Sequence, residues 1–161
     1  MFVALHYVVL SYEFFHCPVE NGYGNTALHE ACYCGHLATA RVLLEEGGAR
    51  MDAANHKGST PLHMFCYGQD QARHSVEMAA YLLARGGEDA VNRSDQRGMT
   101  PLLVCSSMGR LDLIRLLLSH GADSRARDVS QRSAEQIARF YQHSDTAAFF
   151  AGEGGEGKHH Q

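Results

Sequence analysis

Eleven histidines and five cysteines in 161 residues put metal binding and catalysis first among the chemistries to weigh. The densest cluster is Cys32-x-Cys34-x-His36. Zinc needs four ligands converging tetrahedrally, usually as two spaced pairs. Two residues apart on a helix is about 200° of rotation, so Cys32 and Cys34 would diverge. His16-Cys17 has no fixed relation to them. No metal site is expected. Nucleophilic catalysis finds no support either: there is no Gly-x-Ser-x-Gly turn, no phosphate loop, no His-Glu-x-x-His and no recognisable carboxylate pair. Gly152-Glu153-Gly154-Gly155 follows no strand and precedes no helix. Neither catalysis nor a cofactor is expected.

Two of the histidines, His29 and His63, belong to a repeated phrase. Gly24-Asn25-Thr26-Ala27-Leu28-His29 returns as Gly58-Ser59-Thr60-Pro61-Leu62-His63 and as Gly98-Met99-Thr100-Pro101-Leu102-Leu103, with a worn copy at Gln131-Arg132-Ser133-Ala134-Glu135-Gln136. The threonine-to-threonine steps are 34 and 40 residues, and 33 more lead to Ser133. Such self-similarity predicts stacked units. Each phrase starts a helix: the threonine is an N-cap type, and Pro61 and Pro101 suit the first helical position. Leu28, Ala31 and Cys32 form a stripe, as do Leu62, Phe65 and Cys66. Gly35, Gly109 and Gly68 mark the turn to a second helix, which Gly48, Gly87 and Gly121 end. Helices of seven or eight residues are marginal alone and need neighbours.

These phrases in register resemble the ankyrin-repeat family over residues 21 to 150. The resemblance implies an all-α α-solenoid of about four helix-pair repeats with short β-hairpin fingers. The reading places an N-terminal capping segment at 1–20, repeat one at 21–54, repeat two at 55–94 with an insertion near 68–73, and repeat three at 95–127. A degenerate capping repeat covers 128–151, and a disordered glycine-rich tail 152–161. Gln131 stands where the finger turn wants glycine. The resemblance gives His29 and His63 a structural contact with the phrase threonine and neighbouring loop backbone. Leu103 replaces that histidine in repeat three. Glu135 and Gln136 are read as the polar outer face of a cap.

The resemblance also implies a binding surface made of finger tips and the exposed side of the first helices. In repeat one it predicts Tyr23, Asn25 and Tyr33, and in repeat two His56, Lys57 and Tyr67. Repeat three adds Gln96, Arg97, Met99 and Met108, and the last unit Arg132. Tyrosine, methionine and arginine are enriched at interface cores. The expected function is a non-catalytic protein–protein interaction module: adaptor, scaffold or regulatory subunit. Its partner is another protein, with the chain itself monomeric in isolation.

Composition is consistent with that reading. Net charge is −4, which argues against nucleic acid. Charge is uneven: ten of the twelve arginines fall within residues 73–140. The odd cysteine count, with Cys32, Cys66 and Cys105 on core stripes, reads as free thiols in a cytoplasmic or nuclear protein. Residues 1–15 are apolar but interrupted by His6, Ser11 and Glu13, too short to span a bilayer. An alternative reading makes them a membrane-targeting segment.

Overall fold

The computed structural model describes residues 23–68 and 75–153. The capping segment at 1–20, nearly all of the repeat-two insertion and the tail beyond Glu153 lie outside the described residues. Among the described residues eight helices follow in order: α1 Ala27–Tyr33, α2 Leu37–Glu45, α3 Pro61–Tyr67, α4 Ser75–Asn92, α5 Pro101–Met108, α6 Leu111–Ser119, α7 Ala134–Phe140 and α8 Ser144–Glu153. The last helix therefore takes Gly152 and Glu153 out of the expected disordered tail. α4 is broken at Gly87 (φ 64°, ψ −170°), where the second helix of that repeat was expected to end.

Helix starts follow the repeated phrase. Thr26, Thr60, Thr100 and Ser133 are N-caps with extended backbone. The Thr100 hydroxyl accepts from the Leu103 amide at 3.4 Å, satisfying one donor that a helix cannot satisfy itself. Pro61 and Pro101 open α3 and α5. The turn between paired helices is left-handed at Gly35 (φ 73°) and Gly109 (φ 68°), and Gln142 adopts the same conformation (φ 64°) before α8. Gly68 departs from the expected pattern: its backbone is not left-handed. It is needed there for space, because a Cβ would run into the Tyr33 carbonyl oxygen.

The first helices pack in a row, α1 on α3, α3 on α5 and α5 on α7, and each packs on its own second helix. α4 packs on α6 behind that row. Leu28, Leu62 and Leu102, one per phrase, are fully buried along the seam. Each contributes about 1.5–3 kcal/mol relative to exposure. Cys32, Cys66 and Cys105 are free and buried. Burial raises the thiol pKa of Cys32 and Cys105, so these two side chains act as small hydrophobes. Among the described residues no helix is long and apolar enough to cross a membrane.

The fingers differ from the expected β-hairpins: among the described residues there is no strand, only an isolated antiparallel bridge between Arg127 and Ser133. A backbone bond crosses each finger, from Asn55 to Ser59, Asp95 to Met99 and Asp128 to Arg132 at 2.9–3.2 Å, and side chains reinforce it. One oxygen of Asn55 accepts from the amides of Lys57 and Ser59, both at 2.9 Å. Asp95 does the same for Arg97 and Met99 at 2.8 and 2.9 Å. Asp128 repeats it for Ser130 and Arg132 at 2.9 Å. A short polar side chain thus helps the backbone close each turn. Each finger then donates one backbone bond to the one before it: His56 to Tyr23, Gln96 to Lys57 and Val129 to Arg97, at 2.8–3.0 Å.

The last finger keeps this geometry although glycine is missing. Gln131 adopts φ 62° and donates to the Asp128 carbonyl at 2.9 Å. A left-handed side chain costs roughly 1–2 kcal/mol, partly offset by glycine's greater unfolded entropy. Gln131→Gly is expected to stabilise the protein by about 0.5–1 kcal/mol in urea unfolding; a loss of stability would show the turn to be unstrained.

Candidate functional site

The fingers and first helices enclose an open groove of about 570 Å³. Of the residues expected at a binding surface, Tyr23, Asn25, Tyr33, Lys57, Tyr67, Arg97 and Met108 line it together. Tyr33 and Tyr67 occupy the last position of α1 and α3, so the row of helices sets them in neighbouring repeats. Met64 and Met108 complete the apolar side. His56 and Gln96 are exposed on the fingers but outside the groove lining. Arg132 continues the finger row further along, half-buried.

Met99 does not belong to the surface. It is 6% exposed and joins the hydrophobic core. Its position follows from the Asp95 clamp, which pulls the Met99 amide inward and brings its carbonyl to within 2.9 Å of His63 Nε2.

Sequence reasoning missed Glu30 and Asn55 as lining residues. Glu30 accepts from the Asn25 amide at 2.7 Å, and Asn25 in turn accepts from Asn55 at 2.8 Å. Asn55 then clamps its own finger. This polar chain holds the first two fingers in register across the groove. The asparagine-before-glycine pattern of the fingers was visible in sequence; the carboxylate feeding it was not.

The cations are distributed along the fingers. Lys57 Nζ lies 4.3 Å from the centre of the Tyr23 ring. Arg97 lies 6.0 Å from the Tyr67 ring centre and donates a short hydrogen bond to its hydroxyl. Burial raises the Tyr67 pKa, keeping the phenol protonated at neutral pH. Arg97 also reaches Asp95 at 3.4 Å. Arg132 pairs with Asp128 at 2.7 Å and lies 5.6 Å from the Phe140 ring centre. Burial of Asp128 works against ionisation, but backbone amides and the Arg132 guanidinium outweigh it and hold the carboxyl below its ordinary value.

The recurring histidines lie behind the groove. His29 Nδ1 accepts from the Thr26 amide at 3.0 Å, and Nε2 donates to the Ser59 carbonyl at 2.9 Å. His63 repeats the bridge from Thr60 to Met99, at 3.2 and 2.9 Å. Both rings are fully buried and neutral in this arrangement, since Nδ1 must accept. Desolvation lowers both pKa values. In the last repeat Gln136 accepts from the Ser133 amide at 2.9 Å, standing in for the histidine as well as presenting a polar surface. Among the described residues no group of histidine, cysteine and carboxylate side chains is arranged to hold a metal.

A second hollow of about 430 Å³ lies between α2, α4 and the intervening link, with Arg50, Arg85 and Arg93 at its edge. Arg50 and Arg85 are held by Asp52 and Glu45 at 2.7 and 3.1 Å.

Comparison with known proteins gives a consistent picture. A family model described as "Ankyrin repeats (3 copies)" matches residues 48–128, and one described as "Ankyrin repeat" matches 23–56. Tyrosine-protein kinase HTK16 of Hydra vulgaris is 29% identical over 127 residues, 79% of this chain but 16% of the kinase. Protein fem-1 homolog A-like of Mus musculus is 40% identical over 101 residues, covering 62% of this chain and 14% of that protein. NAD-dependent deacetylase sir2B of Dictyostelium discoideum is 29% identical over 105 residues, 60% of this chain and 13% of its own length. The chain thus aligns with about one sixth or less of each relative.

Proposed function

Since the chain belongs to the ankyrin-repeat family, we propose that it is a non-catalytic protein-binding module. It grips a partner protein through the groove between the fingers and the first helices. The observation that carries this reading is the convergence of Tyr23, Tyr33, Tyr67, Arg97 and Met108 on one open concavity. None of these side chains lies in the fully buried seam. The polar residues that might otherwise suggest chemistry have structural work. His29 and His63 bridge neighbouring repeats, Asn55, Asp95 and Asp128 close the fingers, and among the described residues no buried side-chain nitrogen or oxygen lacks a hydrogen-bond partner. Two relatives are named as enzymes, but what aligns here is a small repeat segment of each.

Capture of a partner on the intact chain, followed by titration with variants, tests the reading. Tyr33→Ala combined with Met108→Ala is expected to weaken the captured partner at least tenfold, about 1.4 kcal/mol, while the melting temperature changes by only a few degrees. Tyr67 is a poorer test residue because it packs against the core. Undiminished binding by the double variant would remove the groove from the function.

A further inference from the structure

The cations beside the groove are arranged with their charge outward. Lys57 and Arg97 each stand two residues after the side chain that closes their finger, Asn55 or Asp95, and therefore occur in register in adjacent repeats. Lys57 is set against a ring face rather than a carboxylate, and no ion pair joins it to an acidic residue among the described residues. Arg97 does have a carboxylate partner, but its side chain is 62% exposed whereas that of Asp95 is fully buried. One Asp95 oxygen already takes two backbone amides. The negative charge faces the protein and the guanidinium faces outward. Arg132 over Asp128 repeats the layering, at 39% against 2% exposed. The groove's own carboxylate, Glu30, is buried and engaged by Asn25.

A molecule approaching this wall meets ammonium and guanidinium groups above a floor of tyrosine rings and methionine thioethers. A carboxylate seated between Lys57 and Arg97 gains charge-assisted hydrogen bonds, while an apolar side chain beside it covers Tyr33, Tyr67 and Met108. We propose that the groove selects an acidic segment of a partner protein, with Asp or Glu beside a bulky apolar residue. This rests on the groove being the binding surface. A basic segment would bring like charge against Lys57 and Arg97.

The test is selection of random 12-residue displayed peptides on the intact chain, followed by titration of the synthetic winners. Winners are expected to carry Asp or Glu next to Leu, Phe or Tyr. Their affinity should fall at least tenfold with Lys57→Glu, and by a similar factor when the peptide's Glu is replaced by Gln. Raising salt from about 50 to about 300 mM should also weaken binding. Lys57→Glu should leave the melting temperature unchanged, because Lys57 is exposed and the finger is held by Asn55. Winners that lose binding with Tyr33→Ala and Met108→Ala but ignore Lys57→Glu, or carry no acidic residue, would overturn the acidic preference and leave the groove reading standing. Winners indifferent to all three substitutions, or no winners at all, would overturn both.

Discussion

Replacing His63 by alanine is expected to destabilise the protein by about 3–4 kcal/mol, although the residue lies outside the groove. The ring is fully buried and spans two repeats. Nδ1 satisfies the Thr60 amide at 3.2 Å, and Nε2–H satisfies the Met99 carbonyl at 2.9 Å. Alanine strands the Thr60 amide and removes one of the two donors to the Met99 carbonyl, which keeps the Asp95 amide at 2.9 Å. A buried donor left unmade costs about 1–3 kcal/mol, the lost bond to the carbonyl about 1 kcal/mol more, and the vacated ring volume adds a cavity cost. Urea unfolding measures it; a loss below about 1 kcal/mol would show that the bridge is dispensable. His63→Gln should recover part of the loss, because Gln136 makes the equivalent cap contact natively.

The same histidines give stability a direction with pH. Burial lowers the pKa of His29 and His63 in the folded state. Below about pH 6.5 the unfolded chain therefore binds protons that the folded one refuses. Stability from this source is complete above that pH and is lost as pH falls from there towards the lowered folded values. The His63→Ala variant should lose less stability than the native chain over that interval. Equal acid sensitivity in both would place the titration elsewhere.

Asp95→Ala should cost about 2–3 kcal/mol. It removes the acceptor for the Arg97 and Met99 amides at 2.8 and 2.9 Å and leaves Arg97 without its carboxylate. The finger would loosen, and with it the Met99 carbonyl on which His63 depends, so the two substitutions should be non-additive in a double-mutant cycle. Asp95→Asn is the informative control. Asn55 performs the same clamp with an amide, so Asn at 95 should stay within about 1 kcal/mol of the native chain. If Asn proved as damaging as Ala, the charge on Arg97 rather than the turn would be the stabilising element.

The groove was partly legible in the residue order. Tyr33 and Tyr67 share a repeat position, and periodicity alone aligns them. Met99 shows where that reasoning stops. It precedes a cap threonine, as Asn25 and Ser59 do, and Asn25 lines the groove, yet Met99 is buried. Repeat position fixes the backbone, while a long apolar side chain turns toward whatever dry space its neighbours leave. Glu30 was hidden for a related reason: a carboxylate on a first helix reads as solvated until its acceptor role for Asn25 is seen.

Taken alone, the order of residues determined the paired-helix repeat and the caps of its first helices. Those features depend on interactions within a few positions of one another, which a recurring phrase records directly. Tertiary structure decided which side chains face the groove and what the histidines hold. Those outcomes depend on contacts some thirty to forty residues apart, where the hydrogen bonds from His29 to Ser59 and from His63 to Met99 are made. Local sequence carries no signal for such a partner until packing has brought the repeats together.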